Sequence, residues 1–341
     1  MKRIQYIDIL RAIAIILVII GHIPYPDFNT ELHKWIYSFH IPLFFFVSGI
    51  SLCFTNYQKL NLKTILKKRF VRICLPYFIW TIVLALPNIS LMTIPKILYG
   101  THQSIGSVSN SSLWFLPVLF LATILLDFIL YFFYKRKLIK YLPITLAILL
   151  FIVMFIPSQA NIQSILMGHN LPFGLDIVPM ASLFMLAGYL FSNHQKNRKN
   201  KLSITIALPL IILLFIATTY FSLHNDVDYV LMAENRYGNY LFFFATTILG
   251  ITASVLAAIT IANYTKWLSK LMQIIGSNTM VLFILHKYPL TLINDLILLI
   301  SVAHISNYII VPLYLFFTLI TCVPVASFIK KHAPFLIGKT S

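Results

Sequence analysis

The chain of 341 residues is 59% hydrophobic, 15% aromatic and only 10% charged, with a formal net charge of +17. Soluble domains carry about 25% charged residues, so this composition excludes a water-soluble globule, and the aromatic content excludes disorder. Cys53, Cys74 and Cys322 stand in apolar runs with no metal-ligand spacing and no even count. Neither a metal site nor a disulfide framework is therefore expected.

The hydropathy pattern predicts an all-α, polytopic membrane bundle. A bilayer core of about 30 Å takes about 20 apolar residues per helix. About ten such runs follow one another, at 7–23, 35–54, 73–93, 113–133, 143–157, 171–191, 204–223, 240–262, 278–300 and 308–329. The fifth is short for a full crossing. Basic residues then orient the bundle. Lys2 and Arg3; Lys59, Lys63, Lys67, Lys68, Arg69 and Arg72; Lys135, Arg136, Lys137 and Lys140; Lys196, Arg198, Lys199 and Lys201; Lys266 and Lys270; and Lys330, Lys331 and Lys339 place 21 of 26 on one side. The opposite loops hold only Lys34, Lys96 and Arg236, together with the acids Asp27, Glu31, Asp226, Asp228 and Glu234. The positive-inside rule makes both termini cytoplasmic. The excess positive charge is thus a topology signal, and no nucleic-acid partner is expected.

Lys2 and Arg3 before an apolar run imitate a signal peptide, but no small-residue cleavage site follows, so the first helix is expected to remain. No loop exceeds about 20 residues and no repeat recurs at a fixed period. A single integral-membrane domain over 1–341, without a separate soluble domain, is the expectation.

Charged groups at bilayer depth cost several kcal/mol, which makes each a functional candidate. Asp8 precedes Arg11 by three residues in the first run, the spacing at which helix side chains meet. Arg11 and His22 are eleven residues apart, about 1,100° of helical turn, so they share a face and are separated by about 16 Å along the axis. With the amino terminus inside, Arg11 lies at the cytoplasmic boundary and His22 at the outer one. Plainer readings stand beside this one: Arg11 as a snorkelling anchor and His22 as a helix end facing water. In the second run, Trp35 and Tyr37 read as an interfacial aromatic belt, with His40 just before Pro42. Ser48 and Gly49 read as a close-packing pair. Arg72 opens the third run as an anchor. His286 and Lys287 precede Pro289 in the ninth, with His286 placed near the middle of the membrane. Asp127 and Asp176 read as helix-packing partners for polar neighbours.

The first run, SFHIPLFFFVSG, RFVRICLPYFIW, SSLWFLPVLF and GSNTMVLFILH together resemble, in order, the acyltransferase 3 family. These are bacterial integral-membrane enzymes that O-acylate glycans, and the similarity extends over essentially the whole chain. The short, sugar O-acetylase-like members are the nearest in organisation. The resemblance implies that Arg11 and His22 take the family's essential first-span pair and Arg72 its basic residue at the third-span entrance. Trp114 and Phe115 match its fourth-span aromatic motif. His40 and His286 align with recurrent polar positions, although Lys287 replaces the small residue that usually follows the latter.

On that basis His22, His40 and His286 are the candidate catalytic residues, and Arg11, Arg72 and Trp114 the candidate donor-binding residues. The implied donor is acyl-CoA, most commonly acetyl-CoA, and the implied acceptor a hydroxyl of a cell-surface or exported polysaccharide. No metal is implied. Guanidinium groups suit the CoA phosphates, and a histidine suits proton removal from a sugar hydroxyl. Membrane lipids and polysaccharide-assembly proteins are the implied surroundings, in the bacterial cytoplasmic membrane. The competing reading is a transporter or flippase for a glycan or lipid-linked intermediate, in which intramembrane Arg, His and Asp line a path. Neither an inverted repeat nor paired broken helices support it.

Overall fold

The computed structural model describes residues 5–24, 30–155, 170–195, 202–299 and 307–339. Lys2, Arg3, Asp27, Lys196, Arg198, Lys199 and Lys201 lie outside the described residues, as do the last residues of the expected spans 143–157 and 278–300. In chain order the α-helices are α1 (Gln5–Gly21), α2 (Thr30–Tyr37), α3 (His40–Leu52), α4 (Leu62–Arg69), α5 (Leu75–Ala85), α6 (Thr93–Tyr99), α7 (His102–Gly106) and α8 (Phe115–Lys135). They continue as α9 (Leu142–Phe155), α10 (Val178–Gln195), α11 (Ile204–Leu223), α12 (Tyr240–Tyr264), α13 (Lys266–Ser277), α14 (Thr279–Leu285), α15 (Lys287–Leu299) and α16 (Asn307–His332). Among the described residues the only β pairing is an isolated bridge between Leu231 and Arg236.

Among the described residues six helical stretches are long and apolar enough to cross a membrane: Thr30–Leu52, Ser111–Lys135, Pro172–Gln195, Ile204–Leu223, Tyr240–Tyr264 and Tyr308–His332. A seventh follows if α13 and α14, bent by 62° at Asn278, are taken as one. The chain is thus an all-helical, multi-pass membrane protein. The other expected runs coincide with shorter elements. The first is the 17-residue α1, and the fifth is α9, of 14 residues. The third ends early because Pro87 lies in the turn Leu86–Asn88 that closes α5. The ninth divides at His286, where Pro289 supplies no N–H for the Leu285 carbonyl.

The described chain divides into two compact units. The first comprises Met1–Phe44, Asn200–Val230 and Tyr237–His332. Here α1 packs against α13 through Gly276, where an added Cβ would collide with the Asp8 carbonyl, so only glycine permits the backbone approach. α11 and α12 pair along their lengths. Trp35 packs edge-on against Phe39 and Phe215 at ring distances of 5.0 and 5.6 Å. The expected aromatic belt therefore turns inward at Trp35. Pro42 cannot donate to the Ser38 carbonyl, which breaks α2 from α3, and the Thr247 hydroxyl of α12 donates to that carbonyl instead at 3.1 Å.

The second unit comprises Phe45–Lys199, Leu231–Arg236 and Ala333–Ser341. α3 and α10 cross at backbone contact, Gly49 against Met185 and Gly188 against Phe46, which accounts for Gly49 as a packing residue. Asp127, wholly buried, accepts from Arg69 Nε at 2.7 Å, Arg69 Nη2 at 3.1 Å and the Tyr57 hydroxyl at 2.6 Å. It is the packing partner the sequence suggested, neutralised by a forked guanidinium. Asp176 accepts from the Asn235 amide. Asp295, a further acid within the run 278–300, faces outward on α15.

Candidate functional site

Pro24 ends α1, since it can neither donate to the preceding turn nor admit its ring there. The last turn closes through the amides of His22 and Ile23, each at 3.2 Å from the carbonyls of Ile19 and Ile20. The His22 ring then folds back, and Nδ1–H donates to the Val18 carbonyl at 2.8 Å. A carbonyl only accepts, so Nδ1 carries the proton and Nε2 holds the lone pair of the neutral ring. The Gly21 carbonyl, left without a helical donor, accepts from the Tyr37 hydroxyl at 3.2 Å and His33 Nε2 at 3.1 Å. Absence of a side chain at Gly21 allows this, because a Cβ there would lie 3.0 Å from the Tyr37 ring.

The same device recurs twice. His40 opens α3 after the Pro42 break, and its Nδ1–H donates to the Ile36 carbonyl at 2.8 Å. His286 stands between α14 and α15, and its Nδ1–H donates to the Phe283 carbonyl at 2.8 Å. All three rings are thereby fixed in one tautomer by their own helices. His286 is fully buried, and its Nε2 takes no hydrogen bond among the described residues. An unsatisfied buried acceptor costs about 1–3 kcal/mol, so this atom calls for a donor.

The structure brings His22 and His286 together, edge to face, with ring centroids 4.9 Å apart. His286 therefore does not stand within one unbroken span, as the run 278–300 suggested. The helix breaks at Asn278 and again at His286, and the ring lies level with the end of α1. Tyr37 joins His40 to the group: its ring centroid is 4.7 Å from that of His40 and 6.3 Å from that of His22. His33 lies 4.2 Å from Tyr37, and Tyr229 5.3 Å from it. Lys287 follows His286 directly and is half-buried. The sequence marks Tyr37 as part of an aromatic belt rather than of the site, and His33 and Tyr229 not at all. A signal existed for two of them, because His33 and Tyr37 are four residues apart and share a face of α2. Nothing in the sequence points to Tyr229.

Arg11 lies in the amino-terminal half of α1, with Nη1 at 3.2 Å from Asp8 Oδ1 and its side chain 37% exposed. Its distance from His22 along the helix is about 16 Å. Arg72 and Trp114 belong to the second unit. Arg72 lies in the π-helical turn Phe70–Cys74, just before Pro76, and is exposed, with no hydrogen bond or ion pair among the described residues. Trp114 closes the turn Ser111–Trp114 and is buried, with its ring 6.2 Å from that of Phe115. The histidines form one cluster within the first unit, and within that unit Arg11 stands apart from it along α1.

Three basic ring nitrogens of one tautomer, two of them buried, suit the removal of a proton from a hydroxyl and its return to a leaving group. No curated protein and no solved structure matches the chain significantly. The family model described as an acyltransferase domain matches residues 4–327, so the chain belongs to the acyltransferase 3 family.

Proposed function

We propose that this acyltransferase is an O-acyltransferase of the bacterial cytoplasmic membrane, moving an acyl group, acetyl in the commonest case, from acyl-CoA to a hydroxyl of an exported or cell-surface glycan. The buried, unsatisfied Nε2 of His286 beside the tautomer-fixed ring of His22 carries this reading. A site with several acceptors and an unfilled hydrogen-bonding need favours a ligand that brings a hydroxyl donor. His22 Nε2 takes the proton of the acceptor hydroxyl as its oxygen attacks the thioester carbonyl. The tetrahedral adduct collapses with cleavage of the C–S bond, and the proton passes to the departing thiolate. The products are the glycan ester and CoA. His286 Nε2 accepts from a neighbouring hydroxyl of the acceptor sugar and so orients the reacting one, and His40 stands behind Tyr37 as a positioning residue.

The charge distribution supports about ten crossings in one domain with both termini cytoplasmic, which sets Arg11 at the inner boundary and His22 at the outer. Arg11 then serves the donor's phosphates from the cytoplasm. Arg72 and Trp114 keep the donor-binding assignment that the family resemblance gives them, and Arg72→Lys tests the first of these. Membrane lipids surround the bundle, and polysaccharide-assembly proteins are the natural neighbours of such an enzyme.

The experiment supplies isotopically labelled acyl-CoA to the cytoplasmic face of membrane vesicles and analyses the glycan by mass spectrometry. Labelled ester on the glycan, lost with His22→Ala, is expected. Unmodified glycan retained on the cytoplasmic side would overturn the reading in favour of a transporter.

A further inference from the structure

The second unit carries a groove of about 500 Å³ lined by Pro95, Lys96, Tyr99, Gln103, Ser107 and Asn170, among others. That volume falls within the range of small-molecule sites, roughly 300–1,000 Å³. Helix α6 builds one wall by dividing its residues among three directions. Thr93 and Ile97 are buried, Ile94 and Leu98 are exposed apolar residues, and Pro95, Lys96 and Tyr99 face the groove.

The polar groups of the groove are unevenly engaged. Thr101 and Ser104 satisfy each other in a capping box, and the Tyr99 hydroxyl donates to the Asn170 carbonyl at 2.7 Å, which fixes the ring. Asn170 is 6% exposed, and its amide nitrogen donates to the Ala233 carbonyl at 2.8 Å. Its side-chain oxygen takes no hydrogen bond among the described residues, although it is nine-tenths buried and lines the groove. The Gln103 amide is exposed and likewise unengaged among them.

Lys96 adds the charge. The outer loops hold three basic residues, Lys34, Lys96 and Arg236. Lys34 donates to the Asn225 carbonyl at 2.8 Å, whereas Lys96 is half-buried and has no ion pair or hydrogen bond among the described residues. A cation on the side where cations are scarce, at the edge of a groove lined by amides, hydroxyls and a fixed aromatic ring, fits an acidic sugar.

We propose that this groove is an acceptor subsite for a negatively charged saccharide, with Lys96 on its carboxylate or phosphate, Gln103 and the Asn170 oxygen on its hydroxyls, and Tyr99 against a ring face. The assignment rests on the O-acyltransferase reading for calling the saccharide an acceptor. Binding itself is measurable without turnover.

The test uses the full-length protein in phosphatidylcholine nanodiscs, with carboxymethyl-dextran and unmodified dextran oligosaccharides as matched probes. Saturable binding of the acidic probe is expected, weakened about fivefold or more by Lys96→Gln and by Gln103→Ala, and retained by Lys96→Arg. The neutral probe should bind more weakly and ignore Lys96→Gln. Equal binding of both probes, no saturable binding, or an unaltered Lys96→Gln protein would overturn the proposal. So would loss of acidic-probe binding in phosphatidylglycerol nanodiscs, which would make Lys96 a lipid-headgroup contact. Probe binding without acyl transfer to any glycan would refute the enzymatic reading and leave the subsite standing.

Discussion

Asparagine at position 22 separates anchoring from chemistry. Its side-chain amide nitrogen reaches about as far as Nδ1, so His22→Asn can still donate to the Val18 carbonyl, now 2.8 Å from Nδ1, while nothing replaces Nε2. The anchor is worth about 1 kcal/mol, as is usual for such a bond. His22→Ala loses both anchor and base. General base catalysis contributes about 10²–10⁴-fold, so both variants should lose at least about 100-fold in acyl transfer, equivalent to about 2.7 kcal/mol of barrier. Their stabilities should differ, with the asparagine protein within a few tenths of a kcal/mol of the original and the alanine protein about 1 kcal/mol lower. Release of free CoA in the presence of acceptor glycan measures the first quantity, and thermal unfolding of the purified protein measures the second. A His22→Asn protein retaining a tenth or more of the original rate would show that the ring's role is anchoring. His22 would then leave the mechanism, and His286 Nε2 would become the base to test.

Three further outcomes follow from the same geometry. Arg69→Leu strips the wholly buried Asp127 of its forked partner and should cost about 3–5 kcal/mol in unfolding measurements, whereas Arg69→Met with Asp127→Leu should recover most of it; equal loss in the double variant would refute the ion-pair account. Tags at both termini should be shielded from protease in intact cells, and a thiol label near Asp226 should react from outside; a cleaved amino-terminal tag would reverse the assigned ends of α1. Arg11→Lys and Arg72→Lys each lose the forked geometry that fits phosphate and should weaken acyl-CoA binding about tenfold; unchanged titrations would reduce both residues to topology anchors.

The helical class, the membrane setting and the Asp8–Arg11 pair were legible because hydropathy and helix spacing are local quantities. The breaks were harder to read. Prolines 24, 42 and 289 are visible in the sequence, but what takes up the carbonyls they leave is not: the Thr247 hydroxyl that serves the Ser38 carbonyl comes from more than two hundred residues away. Trp35 and Tyr37 carried the composition of an interfacial belt, but aromatic rings next to polar groups serve a packed cluster equally well. Asp127 was legible as a residue in need of a partner. That its partner is Arg69, counted among the inside-loop charges, depends on α4 lying along α8.

The site itself was half legible. Spacing placed Arg11 and His22 on one helix face, and family resemblance added His40 and His286, but periodicity has no means of bringing residues 22 and 286 into ring contact. The shared local device is more informative than the positions. In each of the three histidines a proline two or three residues downstream coincides with a helix end or break, and the ring turns its Nδ1 onto a carbonyl of the preceding turn. Proline frees carbonyls by removing donors, and a histidine satisfies one while keeping a basic nitrogen directed elsewhere. This predicts a distinction between the variants at position 286. His286→Asn preserves the bond to Phe283 and deletes Nε2, whereas His286→Gln places a polar atom near Nε2 and abandons the carbonyl. If orientation of the hydroxyl is the role of His286, the glutamine variant should retain more acyl transfer than the asparagine variant and be the less stable of the two. The reverse order of activities would mean that only the anchored backbone at the α14–α15 break matters, and that His22 works without a partner ring.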